Sequence, residues 1–437
     1  MRILLVLLCL LPAGARSQAY YFPPVTGNEW QRRDPAGLGY DPAAIADLYD
    51  YLGAANSKAF ILLHRGEIVL ERYMNGFGPD SLHYWASAGK TLLSAAIGIA
   101  ASEDHLRLSD PSSAYLGAGW TDCTPADEAR ITVLDHLRMT TGLDDTGDFF
   151  CTDAECLSCL TAPGTRWAYY NAPFTKLHDV LEAATGQAPT QFIRQRFRAA
   201  TGLTGAYVPL GPYNEVFFST ARSMARFGLL LLNGGAWEGR QVIPQDYHAR
   251  MIAPSQQLNP SYGLLTWLNG QSAYMMNGSR EVFDGPALPD APADTYFAAG
   301  ANGQFINVAP SLDLVWVRVG DEPETGQGEY VGVEFNNAIW AHVNRVLSTA
   351  PTSTGDRRAA PDLQVAPNPA TWQINLLAGD VPQTVDLYGA DGRLLLRTHP
   401  DRPAFALPVA TLPAGTYRLL CRWADGRYVL RSVGVVR

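Results

Sequence analysis

The stretch Trp85-Ala86-Ser87-Ala88-Gly89-Lys90-Thr91-Leu92-Leu93 decides how this chain is read. Ser87 and Lys90 stand three residues apart at the head of a helix-forming run. That spacing sets a hydroxyl and an amine one turn apart on one face. A serine is a poor nucleophile until its proton is taken. A lysine in a dry pocket near a helix N-terminus has its pKa lowered and can take that proton. The pattern is short, and a surface lysine beside a capping serine would also produce it. The lysine usage argues for chemistry. Of 33 Lys and Arg residues only Lys58, Lys90 and Lys176 are lysine, and only Lys90 has a serine three positions before it. An arginine-rich chain that keeps a lysine here marks a place where an always-protonated guanidinium would fail as a base. Behind the motif, Leu92, Leu93, Ala95, Ala96, Ile97, Ile99 and Ala100 cover every face, so the helix is expected to lie buried at the centre of the fold.

On the N-terminal side, residues 41–52 read as a helix. Residues 59–64 and 68–73 read as two strands joined through Arg65-Gly66-Glu67, a turn suited to a hairpin. Residues 105–260 read as mostly helix and loop, with helical periodicity at 131–139, 177–184 and 221–232. Strands return at 304–308 and 314–319, joined through Ala309-Pro310-Ser311 in a second hairpin-like turn, and 335–347 reads as a helix. Pro, Thr, Ser, Gly, Asp and Arg crowd 349–361, which reads as a linker. Beyond it, residues 362–437 change to short alternating runs at 384–388, 394–397, 416–422 and 428–435, the pattern of a small all-β sandwich.

The chain is 437 residues, 47% hydrophobic and 17% charged, with a formal net charge of -9. That is enough for two or three domains, and no basic tract points to a nucleic acid or an anionic membrane as partner. Residues 1–17 read as a secretory signal peptide: Arg2, an apolar run from Ile3 to Leu11, and Ala15-Arg16-Ser17 as a small-x-small cleavage site. The run is too short to span a bilayer, and no later segment approaches ~20 apolar residues, so no transmembrane segment is expected. An exported protein with five remaining cysteines (Cys123, Cys151, Cys156, Cys159 and Cys421) leaves at least one thiol unpaired within the chain. Cys156 and Cys159 have zinc-ligand spacing, but no second pair or histidine cluster accompanies them. A disulfide pinning the 151–159 loop is the preferred reading, and no metal or cofactor is expected.

Two further stretches carry chemistry. Tyr169-Tyr170-Asn171 follows the turn at Pro163-Gly164. A phenol at Tyr169 can pass a proton, and the Asn171 amide can hold a substrate carbonyl; an aromatic cluster packing a loop is the plainer alternative. The second stretch, Ala298-Ala299-Gly300-Ala301-Asn302-Gly303-Gln304, enters a late strand. Its small residues let a substrate lie against the strand edge. The N–H groups of Ala301 and Ser87 can form an oxyanion hole. The alternative is a simple glycine-rich turn.

In this order the three elements resemble the penicillin-recognising serine hydrolases, the superfamily of β-lactamases, D-alanyl-D-alanine peptidases, related esterases and oligomer amide hydrolases. The resemblance covers roughly residues 40–347. Segments 106–111, 137–143, 218–222, 262–263 and 308–310 frame it, and Tyr169-x-Asn171 resembles the class C and esterase branch. The resemblance implies an α/β (α+β) fold: a mostly antiparallel sheet from the early hairpin and late strands, the Ser87 helix packed on it, and a helical subdomain closing the cleft. It implies Ser87 as nucleophile, Lys90 as its activator, Tyr169 as general base and acid, and Asn171, Gly300 and Ala301 as substrate contacts. Tyr170 adjoins Asn171 directly and has the wrong spacing for the phenol. One departure matters. The family's third motif usually opens on Lys or His, where Ala298 stands here. The cation that commonly holds a substrate carboxylate is missing from that position. This disfavours a true β-lactamase or D-alanyl-D-alanine peptidase and favours small-molecule or peptide-like ester or amide substrates. A non-catalytic peptidoglycan- or peptide-binding protein on the same fold is the competing reading. No Gly-x-Ser-x-Gly occurs, which argues against an α/β-hydrolase.

The tail carries Pro367-Asn368-Pro369-Ala370, then Val385-Asp386-Leu387-Tyr388-Gly389-Ala390-Asp391-Gly392-Arg393, then Leu412-Pro413-Ala414-Gly415-Thr416-Tyr417. This order resembles the C-terminal sorting domain of type IX secretion cargo, known from the Bacteroidetes. It implies the type IX machinery as partner and a secreted or cell-surface destination, the alternative being a carbohydrate-binding or adhesive sandwich. The expected organisation is a signal peptide at 1–17, a hydrolase domain at 18–348, a linker at 349–361 and a β-sandwich at 362–437.

Overall fold

Apolar runs too continuous to alternate build a sheet buried on both faces. In the computed structural model, which describes residues 20–211, 214–323, 333–348, 363–388, 394–423 and 428–436, these runs form a six-stranded antiparallel sheet. The expected signal peptide and linker lie outside the described residues. In chain order the elements that matter are α1 (Pro42–Ala54), β1 (Ser57–His64), β2 (Glu67–Tyr73), α2 (Gly89–Ser102), α3 (Asn171–Thr185), β3 (Glu215–Ser219), α4 (Ala221–Leu232), β4 (Trp267–Leu268), β5 (Tyr296–Gly300), β6 (Gln304–Ala309), β7 (Leu314–Gly320) and α5 (Val333–Leu347). The sheet order is β2-β1-β7-β6-β5-β4. The early hairpin thus joins the late strands through the β1–β7 ladder, where Leu62 faces Trp316. Both hairpins and the helices at α1, α4 and α5 lie where the sequence places them, within a few residues at their ends.

Each face of the sheet carries its own core. Against one, α1 and α5 pack Leu48, Leu52, Ile339, Trp340 and Val343 over Phe60, Leu62 and Trp316. Asp41 starts α1 by accepting from Ala43 N, with Pro42 at the first helical position. Against the other face lie α2 and α4, with Leu92, Leu93, Ile97, Leu229 and Leu230 in one cluster with Ile61, Ile306 and Val317. Each such aliphatic side chain stabilises by about 1.5–3 kcal/mol when fully buried. Gly228 lets α4 come this close: a Cβ there would stand 2.5 Å from Val315 Cγ1. Arg222 at the head of α4 clamps the helix to β2, donating from Nε and Nη2 to the two carboxylate oxygens of Glu71 at 2.6 and 2.9 Å.

Within the stretch expected to be mostly helix and loop, four short strands form, and the pair at 206–209 and 215–219 bears on the site. Ala206–Pro209 and β3 pair with each other, and β3 pairs with His83–Tyr84. The sequence reading passed over them because they are short and their apolar positions, Tyr207, Val216 and Phe217, do not alternate over a long enough span to signal a strand. Their consequence is large, since this ladder ends at the residue before Ala86 and aims the Ser87 turn.

The described residues divide into two compact units, the first reaching to residue 348 and the second running from residue 363. The second is all β. One sheet of three strands (Leu363–Ala366, Gln373–Ala378, Ala404–Pro408) and one of four (Thr384–Tyr388, Leu394–Thr398, Gly415–Arg422, Tyr428–Val435) share a core that includes Ile374, Leu376, Leu407, Val385, Leu387 and Leu419. Buried Asp386 is held between Arg397 Nε at 2.7 Å and Arg422 Nη1 at 2.8 Å.

Candidate active site

Trp85 anchors the turn that carries the serine. Its backbone N–H donates to Phe217 O at 2.8 Å, and its indole N–H donates to Ser219 Oγ at 2.6 Å. Ala86 follows at φ +47°, a left-handed conformation that costs a non-glycine residue roughly 1–3 kcal/mol and is characteristic of functional turns. Ser87 then lies in a 3-10 turn, Ala86–Ala88, that leads straight into α2. The serine and lysine therefore straddle the junction of two helix types, and the side chains still meet: Lys90 Nζ is 2.9 Å from Ser87 Oγ.

Lys90 is buried, 3% exposed. It donates to Asn171 Oδ1 at 2.7 Å and lies over the rings of Phe174 at 4.2 Å and Tyr169 at 5.3 Å. None of these partners is an anion. Burial pushes the amine down to about 7. Such an amine is neutral in a large fraction of molecules near neutral pH and can accept a hydroxyl proton. Asn171 opens α3, and His136 steadies this end of the helix with Nδ1 2.7 Å from Pro173 O. The sequence motif places the Asn171 amide against a substrate carbonyl. Here its oxygen holds Lys90, while Nδ2 reaches Thr175 Oγ1 at 3.3 Å.

The two adjacent tyrosines part company. Tyr169 lines the cavity beside Ser87 and stacks on Trp267, with ring centres 5.7 Å apart. Trp167, Tyr262 and Trp267 close around it. The aromatic packing and the position beside the serine hold together, so the two readings of this segment are not exclusive. Tyr170 turns the other way, its hydroxyl toward Asp148 O at 3.3 Å and Cys156 O at 3.5 Å. Burial, with Asp145 nearby, raises its phenol to about 12.

The strand edge meets the serine turn at Gly300, where an added Cβ would stand 2.4 Å from Trp85 O and 3.0 Å from Ala88 N. Backbone against backbone leaves no room for a side chain, so glycine is required by space rather than by φ. Ala301 follows in the turn Ala301–Gly303. Two residues that the sequence reading did not single out hold this turn. Arg318, fully buried on β7, donates to the carbonyls of Asn302, Gly303 (3.2 Å) and Ala55 (2.7 Å). Tyr84 receives Asn302 Nδ2 at 2.6 Å. The signal for Arg318 was present: a lone guanidinium inside the apolar run Leu314-Val315-Trp316-Val317-Arg318-Val319 must be buried and must be spent on backbone acceptors.

Ser87, Lys90, Tyr169, Asn171, Gly300 and Ala301 all line one cavity of about 410 Å³. Its remaining wall is mostly apolar and aromatic, with Phe149, Phe150, Phe174, Val216, Phe297 and Phe305 among the lining, interrupted by the Glu215 carboxyl and the amides of Asn277 and Asn302. Lys90 is the only Lys or Arg among its described lining residues. Ala298 is 2% exposed and belongs to the same buried cluster as Ala88, Leu92 and Tyr169, outside the cavity lining. The 144–162 loop, which brings Phe149 and Phe150, is held by two disulfides, Cys123–Cys159 and Cys151–Cys156; Cys421 is a buried free thiol. A disulfide does pin the loop, though Cys156 and Cys159 each pair elsewhere rather than with one another. Phe150 O also accepts from Asn214 Nδ2 at 3.1 Å, and Asp145 joins Arg166 and Arg280.

This geometry has relatives. A 6-aminohexanoate-dimer hydrolase from Paenarthrobacter ureafaciens is 25% identical over 381 residues, covering 72% of this chain and 87% of the relative. Among solved structures, EstA from Arthrobacter nitroguajacolicus Rue61a superposes with a TM-score of 0.54 at 16% identity, over 74% of this chain and 99% of its own. A class C beta lactamase from Rhodobacter sphaeroides gives 0.52 at 17% identity, over 70% and 100%. At these identities the two structures speak for the fold alone. The family model described as Beta-lactamase matches residues 44–328, well over half of the chain and the whole of the sheet except the last helix that covers it. On that match, this chain belongs to the beta-lactamase family of serine hydrolases.

Proposed function

We propose that this protein is an exported hydrolase that cleaves esters or amides with apolar acyl groups through an acyl-enzyme on Ser87. The observation that carries the reading is the contact between a buried, carboxylate-free Lys90 and Ser87 Oγ at 2.9 Å, on the floor of an apolar cavity. Neutral Lys90 takes the Ser87 proton as Oγ attacks the substrate carbonyl. The N–H groups of Ser87 and Ala301 receive the oxyanion. Tyr169 returns a proton to the leaving alkoxide or amine, and water then releases the acyl group by the reverse proton path. Asn171 keeps the amine aimed at the serine. The aromatic wall selects apolar acyl chains, and a cavity with Lys90 as its single described cation does not select for a substrate carboxylate. That separates this reading from a D-alanyl-D-alanine peptidase or a β-lactamase. The name of the relative, a hydrolase of the 6-aminohexanoate dimer, supports the amide side of the proposal.

The segment at 1–17 and the tail support export to the cell surface, with the C-terminal sandwich acting as a type IX sorting domain. The three tail motifs and the strand-rich second unit are what favour this.

The test is a panel of p-nitrophenyl esters, neutral aliphatic against carboxylate-terminated, on wild type and Ser87→Ala. Turnover of the neutral esters by wild type, lost in a folded Ser87→Ala, is the expected result. Equal rates in the two proteins would end the proposal, and saturable binding without any turnover would favour the non-catalytic binder.

A further inference from the structure

A second cavity, of about 640 Å³, shares no lining residue with the first. The segment Val25–Trp30, the turn bearing Arg194 and Arg198, Thr204 and the start of α4 contribute to its walls. Four guanidiniums border it, from Arg194, Arg198, Arg222 and Arg226, against one carboxylate, Asp80. In a chain of net charge -9 this is a local reversal of sign.

The charge is not balanced inside the protein. Arg226 is 5% exposed, and its N–H groups go to Thr201 O at 2.7 Å, Pro24 O at 2.9 Å and Pro23 O at 3.4 Å. Carbonyls satisfy its donors but leave its charge without a counter-ion, an arrangement that is costly in a buried site. Arg222 does meet Glu71, but Glu71 also carries Arg32, so that cluster keeps a positive excess. Arg194 and Arg198 are exposed, four residues apart in a π-helical turn, and neither has an acidic partner among the described residues. Like charges at this spacing repel, and widened turns of this kind recur at functional sites. The twelve-residue helix α4 adds the positive end of its dipole. Its cap Thr220 and the hydroxyls of Ser223 and Thr204 form a linked row on the cavity wall.

We propose that this cleft binds a phosphate or sulfate group, gripped by Arg194 and Arg198 in front of α4, with Arg226 as its buried counter-charge, at a site separate from the hydrolytic cavity. Forked guanidiniums and a helix N-terminus are the donors that suit a tetrahedral oxyanion. The volume leaves room for the body of a larger anionic ester behind the anion.

The experiment is calorimetric titration of the full chain with inorganic phosphate, inorganic sulfate and glucose 1-phosphate, with glucose as the uncharged control, at ionic strength held constant with chloride. The expected result is saturable binding of the anions and none of glucose. Affinity should fall at least ~tenfold in Arg194→Ala/Arg198→Ala. These side chains are exposed, so the melting temperature of the double variant is expected to match wild type. Tighter binding of glucose 1-phosphate than of inorganic phosphate identifies an anionic ester as the ligand class, and equal affinity identifies the free anion; both support the site. No saturable heat with any of the three anions, or undiminished binding in a folded double variant, overturns it.

Discussion

In the proposed mechanism Lys90 combines two properties that oppose each other in water: a base strong enough to take a serine proton, and an amine neutral often enough to do so. Burial against Phe174 and Tyr169 with only amide and hydroxyl partners produces this, by disfavouring the ammonium form. Because the amine must be neutral to accept, activity is lost as pH falls below its lowered value. The expected kcat/KM profile for a neutral ester rises with pH, flattens above about 7, and drops roughly tenfold per unit below it. Rates that stay level well below that pH would mean Lys90 is not the base. Lys90→Arg keeps the charge and the reach but cannot deprotonate, so it should lower kcat/KM by about 10²–10⁴-fold. At Gly300 the constraint is space. Gly300→Ala places a methyl against the Trp85 carbonyl, which no rotamer relieves. Overpacking of this kind costs about 1–3 kcal/mol, and displacing the serine turn by an ångström costs about 10²-fold in rate. Gly300→Ala should therefore lose kcat well beyond its loss of stability; a variant with unchanged kcat would contradict the close approach described.

Among the elements, the 144–162 loop forms part of the cavity wall and, on the proposed function, bears on acyl-chain selectivity. It contributes Phe149 and Phe150 to the cavity, and its two disulfides have different tasks. Cys123–Cys159 closes a span of 36 residues, long enough to stabilise the fold by about 3–4 kcal/mol through the unfolded chain. Cys151–Cys156 spans only 5, so the same argument gives it less, about 2 kcal/mol, and it also shapes the loop tip beside Phe149 and Phe150. Replacing Cys151 and Cys156 by serine should raise KM for bulky aromatic or long-chain esters by up to about tenfold, about 1.4 kcal/mol, with kcat little changed and the melting temperature lowered by a few degrees. Steady-state kinetics on an acyl-length series checks this, and a selectivity identical to wild type would show that the bridge does not shape the wall. The Ser-Lys helix was readable in the sequence because it is apolar all round, and both hairpins because Arg65-Gly66-Glu67 and Ala309-Pro310-Ser311 mark their turns. The strands at 206–209 and 215–219 were not, since they are stabilised by pairing with His83–Tyr84, more than a hundred residues away in the chain.

For the whole molecule, the sequence exposed the residues that the fold brings together better than the scaffold that positions them. Ser87, Lys90, Tyr169, Asn171, Gly300 and Ala301 were legible as short motifs, and the fold gathers all six at one cavity. What stayed hidden depends on contacts between distant segments. Arg318 buttresses the Ala301 turn from another strand, Trp267 stacks on Tyr169, and the pairing of four cysteines follows from three-dimensional proximity that no spacing reveals. The proposed function rests on one activated hydroxyl, that of Ser87, in a folded protein. The most direct measurement is intact mass after incubation with a fluorophosphonate, wild type beside Ser87→Ala at matched melting temperature. One covalent adduct on wild type and none on the variant is the expected result. An unmodified wild type, or an adduct that survives Ser87→Ala, would contradict it.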